Sequence, residues 1–166
     1  MEPKPEQSSA TAMPDEEMDE ILSQGLSSFA PYIMNRILRR YNARMDQAVR
    51  DKGLNVPRLR VLAALAAEGP QTINDLAIFA ISEQSSMSRL LDQMEGEGLV
   101  RRQTSESDSR SRIVSLTDFG RTQFERAFPL MRAAEAKMFA GFSAAEKALA
   151  LELLGRMMRN VREHPV

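Results

Sequence analysis

From Phe29 onward, apolar residues return at every fourth position: Phe29, Ile33, Ile37, Tyr41, Met45 and Val49. That period holds them on one stripe of a helix. It predicts a long amphipathic helix over about 26–51, with Gly53 suited to its C-terminal cap. A shorter helix is expected at about 56–67. Asn55 can serve as its N-cap, and Pro57 falls in a first turn, where its missing N–H has no partner to lose. Leu59, Leu62, Ala63 and Ala66 form the expected inward face, and Gly69-Pro70 ends the helix. Thr72 with Asp75 approximates a capping box for a third helix, which turns Ile73, Leu76 and Ala77 inward. Ser82 is expected to cap a fourth, at about 83–95, which Gly96 and Gly98 stop.

After Gly98 the period changes. Leu99–Thr104 and Arg112–Leu116 read as two short strands joined by the polar run Ser105-Glu106-Ser107-Asp108-Ser109, a hairpin with an exposed tip. A long helix resumes at Thr117, with Phe124, Phe128, Met131, Met138 and Phe142 near helical spacing and a kink expected at Pro129. Ser143 and Glu146 form a capping box for a last helix at about 144–162, which carries Leu149, Leu153, Leu154, Met157, Met158 and Val161. No internal repeat is visible. The fold class is therefore mainly α with a small β-hairpin wing. Helices followed by a hairpin make the plan of a winged helix-turn-helix, whose second helix enters the major groove of DNA.

Composition refines this picture. Residues 1–20 hold Pro3, Pro5 and Pro14, with Ser8, Ser9 and many charges, and read as a disordered acidic arm; 21–166 reads as a single domain. Residues 1–24 set Lys4 against Glu2, Glu6, Asp15, Glu16, Glu17, Asp19 and Glu20, a balance of −6, so the chain's net −1 leaves +5 on the body. A mildly basic body permits DNA binding without requiring it. Cysteine is absent, which excludes disulfides, thiolate metal sites and thiol redox sensing. The only histidine, His164, lies near the C-terminus and is expected to be a solvated tail residue. No run approaches the roughly 20 apolar residues that cross a bilayer, and the acidic start is no signal peptide. A cytoplasmic protein with no membrane partner is expected. A glycine-rich phosphate loop, a nucleophile–histidine pair and a metal-ligand cluster are all lacking, so neither an enzyme nor a cofactor is expected.

The fourth helix carries the candidate chemistry. At 100° per residue Met87, Leu90, Leu91 and Met94 cluster on one side, while Ser85, Arg89 and Asp92 fall nearly opposite and Ser86 and Ser88 flank them. With Gln84 this makes an outer face of small polar groups and one arginine, concentrated in the first two turns. Small residues allow close approach to base edges. Serine hydroxyls donate or accept, and arginine can grip guanine O6 and N7 in a fork. The helix N-terminus adds partial positive charge for a phosphate. Asp92 and Glu95 repel phosphate, so only the first two turns are expected in the groove. An ordinary solvated surface would show the same residues, and the helix alone does not separate the two readings.

The hairpin and its exit read Asp108-Ser109-Arg110-Ser111-Arg112-Ile113-Val114-Ser115-Leu116-Thr117-Asp118-Phe119-Gly120. This resembles the wing signature of MarR-type (multiple antibiotic resistance) regulators: Asp-x-Arg, a short apolar strand, then Leu-Thr-x-x-Gly. Gly98-Leu99-Val100-Arg101-Arg102 resembles that family's lead into the wing, and Ser86-Met87-Ser88-Arg89-Leu90-Leu91-Asp92 resembles its recognition helix. The resemblance spans about residues 26–162. Ser109 departs from the arginine often found after the aspartate, which weakens an expected phosphate contact but leaves the Asp108/Arg110 pair. The resemblance implies a winged helix-turn-helix at about 55–117, flanked by dimerisation helices at about 26–51 and 118–162. It implies that Arg110 enters a minor groove while Asp108 steadies the wing. A narrow minor groove attracts arginine through its negative potential. Arg101, Arg102 and Arg112 are further candidates for phosphate contacts.

The implied function is a homodimeric, sequence-specific regulator of transcription, a repressor more often than an activator. Leu149, Leu153, Met157 and Val161 suit either packing within the chain or the interface that the resemblance implies. A two-fold dimer sets its recognition helices about 34 Å apart and reads a near-palindromic operator. The resemblance also implies a small, anionic aromatic effector. Arg44 falls within the apolar arc of Ile33, Ile37, Tyr41 and Ala48, with Arg40 at its edge. An arginine buried there needs an anion, either a ligand carboxylate or an internal acid; Tyr32 and Met34 are placed to line a nearby cavity. The alternative is a winged-helix adaptor that binds protein rather than DNA, against which the serine-and-arginine face argues, since such surfaces usually present aromatic or aliphatic anchors.

Overall fold

The structure, a computed structural model, describes Ser23 and residues 25–80, 84–104 and 112–161. The expected acidic arm, the helix-turn-helix turn with Ser82, and the wing tip with Asp108 and Arg110 lie outside the described residues. The chain divides into two compact units, one through Tyr41 and one from Asn42.

In the first unit a turn at Gly25–Phe29 leads into helix α1 (Ala30–Val49), with the Ser28 hydroxyl donating to the Gly25 carbonyl at 2.9 Å. Phe29, Ile33, Ile37 and Leu38 are exposed. Arg40 and Arg44 are exposed as well, Arg44 belonging to the second unit. Ile33 and Ile37 of the apolar arc beside Arg44 are exposed in this chain, and among the described residues no internal acid pairs with Arg44.

The second unit takes up the same helical stripe and buries it. Met45 and Val49 are 1% and 0% exposed. A 3-10 turn (Arg50–Lys52) and Gly53 close α1, and the Asp46 carboxylate accepts the Val56 N–H at 2.8 Å. Helix α2 (Val56–Glu68) starts at the expected cap, where Asn55 accepts the Arg58 N–H at 3.0 Å. Its buried arc is wider than the amphipathic reading allowed. Val56, Val61, Ala64 and Leu65 join Leu59 and Leu62, while Ala63 and Ala66 are only half-buried. The cause is position, because α2 meets other elements on several sides.

Two residues unseen in the pattern, Gln71–Thr72, form strand β1. Helix α3 (Ile73–Phe79) follows, capped by the Thr72 hydroxyl, which accepts the Asp75 N–H at 3.1 Å. The Asp75 carboxylate accepts the Thr72 hydroxyl proton at 2.7 Å, so the reciprocal bond of a full capping box is replaced by a side-chain one. Helix α4 (Gln84–Gly96) buries Met87, Leu91 and Met94 completely. It ends where Gly98 N–H reaches Glu95 O and Leu99 N–H reaches Met94 O. This paired closure needs a left-handed residue, and Gly98 supplies it at φ 72°.

Strands β2 (Val100–Thr104) and β3 (Arg112–Leu116) pair antiparallel, with Arg102 opposite Val114, and the sheet order is β1-β3-β2. Helix α5 (Asp118–Met138) carries Pro129 inside it and packs on α2. It stops four residues short of Phe142, which lies in the connection to α6 (Ala144–Asn160). The Ser143–Glu146 capping box is complete: the Ser143 hydroxyl accepts the Glu146 N–H, and the Glu146 carboxylate accepts the Ser143 N–H. Among the described residues α6 buries none of its own.

Candidate nucleic-acid interface

Helix α4 is anchored by its apolar back. Met87, Leu91 and Met94 are 0% exposed, so their packing dictates which residues remain outside. Those are Ser85, Ser86, Arg89, Asp92 and Gln93, all exposed; Ser88 and Leu90 are half-buried, and Gln84 opens the helix. Serine and arginine thus occupy the outward face of the first two turns, as the helical wheel predicts. Among the described residues Arg89 has no hydrogen-bond or ion-pair partner, which leaves its fork available.

The hairpin beside α4 is set at both ends. At its base, Thr117 caps α5 by accepting the Gly120 N–H at 2.9 Å, and its hydroxyl donates to the Gly98 carbonyl at 2.5 Å. Gly120 packs so tightly on Leu99 that a Cβ there would collide with the Leu99 carbonyl oxygen. The Leu116-Thr117-x-x-Gly120 run is therefore a clasp between the wing and α5. Along the strands, Arg101 Nε donates to Ser115 Oγ at 3.0 Å and Arg112 to Thr104 Oγ1 at 2.7 Å, each pair directly opposite in register. Both arginines remain exposed.

Arg102 is different. Its guanidinium donates to Glu95 at 2.8 Å and to Asp92 at 2.6 Å, and its backbone N–H donates to Glu95 at 2.8 Å. These bonds hold the Glu95 carboxyl below its ordinary value of 4.5 and push the guanidinium upward, hydrogen bonding being the larger cause in each. Arg102, grouped by charge with the phosphate candidates, is thus engaged within the chain. Strand alternation carried the signal that was missed: Arg102 shares a face with Val100, across from buried Val114, while Arg101 points the other way.

The residues considered for an effector, Tyr32, Met34, Arg40 and Arg44, all lie on α1. Ser27, Tyr32, Ile33, Arg36, Ile37 and Arg40 line a shallow groove in the first unit. Arg36 donates to the Tyr32 hydroxyl at 3.0 Å and lies 5.6 Å from the ring centre. Half-buried Met34 and exposed Arg44 both lie outside the lining. Among the described residues no group of acidic or histidine side chains could hold a metal, and no helix is long and apolar enough to cross a membrane.

The MarR family profile matches residues 54–111, from just before α2 to just before β3. A MarR-family transcriptional regulator from Silicibacter pomeroyi is 41% identical with a TM-score of 0.80, over 89% of this chain and 98% of that one. A second MarR-family regulator from Silicibacter pomeroyi is 32% identical, TM-score 0.77, over 84% and 93%. The HTH-type transcriptional repressor IacR of Pseudomonas putida is 29% identical over 133 residues, 80% of this chain and 77% of that one. Members of this family are transcriptional regulators rather than enzymes. The serine-and-arginine helix, its clasped wing and these likenesses together place the chain in the MarR family of DNA-binding transcriptional regulators.

Proposed function

We propose that the protein is a homodimeric repressor that reads a near-palindromic operator and is released from it by a small, anionic aromatic ligand. The observation that carries sequence reading is the outward face of α4, with Ser85, Ser86 and Arg89 exposed over a fully buried apolar back. Gln84, Ser85, Ser86, Ser88 and Arg89 meet base edges and nearby phosphates, while Arg101 and Arg112 meet phosphates beside them. Asp108 and Arg110 complete the wing, with Arg110 in the minor groove.

Support for the dimer comes from apolar surface that the chain leaves open. Leu149, Leu153 and Met157 on α6 and Val161 just after it are 40–76% exposed, and Phe29 just before α1 and Ile33 and Ile37 on it are 39–43% exposed. Exposed apolar stripes of this kind mark interaction sites. Support for the ligand is the α1 groove, where Tyr32, Ile33 and Ile37 offer apolar contact and Arg36 and Arg40 offer charge. Release requires that the ligand bind the non-operator state more tightly than the operator-bound one.

In vitro selection from a random duplex pool tests the reading. A recovered site with two inverted half-sites about one helical turn apart is expected, with affinity that falls steeply as salt rises. Aromatic acids added to the complex should then displace the protein. Failure to enrich any duplex would favour the adaptor reading instead.

A further inference from the structure

We infer that Arg102 is a positioning residue and not a phosphate contact: with Glu95 and Asp92 it locks the wing to the recognition helix, so that the two reading elements present one rigid surface. The inference rests on the DNA-binding reading of α4 and specifies how that face is held.

Strand β2 is an edge of the sheet, since the order is β1-β3-β2. An edge strand has outward N–H groups with no ladder partner. At Arg102 that N–H is capped by Glu95, whose other oxygen takes the guanidinium of the same residue. One carboxylate in the last turns of α4 thereby grips both the backbone and the side chain of the strand beside it. Asp92, one turn earlier on the helix, takes the far end of the guanidinium at 2.6 Å. The three hydrogen bonds leave different donor atoms, with Nη2 also 2.6 Å from Glu95, which fixes the strand's rotation as well as its distance. The Arg102 side chain is 23% exposed, against 62% for Asp92, so the cation is more sheltered than the acid it neutralises.

The arrangement also resolves a conflict in α4. Asp92 lies on the same exposed face as Ser85 and Arg89. Arg102 brings compensating charge from the wing, and in doing so is withheld from phosphate.

Salt-dependent binding of the full chain separates brace from contact, using a labelled random-sequence duplex and the best duplex selected by the wild-type chain. Counterion release makes each phosphate contact worth about 0.9 in the log–log salt slope on random duplex. Arg102→Gln is expected to leave that slope unchanged while the preference for selected over random duplex falls about tenfold. The double variant Asp92→Asn/Glu95→Gln liberates Arg102 and should steepen the slope; adding Arg102→Gln to it should return the slope to the wild-type value. A slope reduced by about 0.9 per subunit in Arg102→Gln alone would show a direct phosphate contact and overturn the inference. An undiminished preference would overturn it equally. Melting temperature reports folding, and Asp92→Asn, which leaves the Glu95 grip intact, should show the same loss of preference to a smaller degree. Absence of duplex binding by the wild-type chain would instead sink the DNA reading itself.

Discussion

Arg58 and Glu97, thirty-nine residues apart, meet in a two-pronged ion pair with bonds of 2.7 and 2.6 Å. The same guanidinium donates to the Gly53 carbonyl at 2.8 Å. A single side chain on α2 thus ties the loop that follows α1 to the loop that follows α4. Fork geometry suits arginine and not lysine, whose ammonium is a point charge. Arg58 is 13% exposed and Glu97 49%, so the pair is screened on one side. Arg58→Ala is expected to cost about 1 kcal/mol, read as a lower urea midpoint with an unchanged slope. Arg58→Lys should recover only part of it. A loss that vanished in Arg58→Ala but appeared in Glu97→Ala would show that the bridge contributes nothing.

A second prediction concerns the clasp at Gly120. Its Cα faces backbone rather than a pliable side chain, so the Leu99 carbonyl cannot move aside without disturbing the start of β2. Gly120→Ala should destabilise the fold by roughly 1–3 kcal/mol, the range for overpacking, despite alanine's better helix propensity. Thr117→Val, which removes the cap and the bond to Gly98, should cost about 1 kcal/mol. Thermal melts of the two single variants and the double variant would show less than additive losses, because both act on one junction.

How much of this was legible beforehand depended on length and on which pattern was read. Helices α2 and α4 and strands β2 and β3 fall within one or two residues of the hydrophobic periodicity, because caps and glycines mark their ends. Strand β1 escaped notice because two residues show no alternation. Phe142 fits the spacing of α5, yet the helix ends at Met138; Gly141 in the connection takes φ 88°. The outward placement of Ser85, Ser86 and Arg89 was readable from the wheel, but their role was not. The bonds of Arg102 to Glu95 and Asp92 were not foreseen, because its charge was weighed and its strand face was not. The exposure of the arc around Arg44 was not legible for a related reason: an apolar arc on a helix says what can be buried, not what this chain buries. Asp108 and Arg110 lie outside the described residues, and their roles rest on the family resemblance.

Acid should weaken the protein through three glutamates. Glu95, Glu135 and Glu146 all sit below their ordinary value of 4.5. The chief causes are hydrogen bonds from Arg102, from Lys147 and from the Ser143 N–H, respectively. A depressed folded value means the carboxylates contribute stability above the unfolded value, and that contribution is lost as pH falls through the folded one. Stability should therefore hold from neutral pH to about 5, then decline below 4.5. Glu135→Gln should flatten the decline by removing one linked proton. An identical pH profile for that variant, followed by chemical denaturation, would show that the Lys147 bridge does not form in solution.

The last prediction concerns the stripe of apolar residues that changes character along α1. Met45 and Val49 belong to the core, yet Ile33 and Ile37, three and two turns earlier on the same stripe, stay exposed. Helix α6 buries no residue and is exposed over most of its length, with Leu149 and Leu153 at 54% and 40%. Substituting these two leucines by glutamate removes nothing from the core of a single chain, so the fold should survive with an unchanged far-UV spectrum. If a second copy covers them, each glutamate is forced into an apolar interface at a cost of several kcal/mol, and the dimer should dissociate. Sedimentation would then report a monomer. DNA binding should fall by about 100-fold or more, since one reading head no longer raises the effective concentration of the other. A doubly substituted chain that remained dimeric would mean that the two copies meet elsewhere, and one that was monomeric but bound DNA undiminished would mean that a single head suffices.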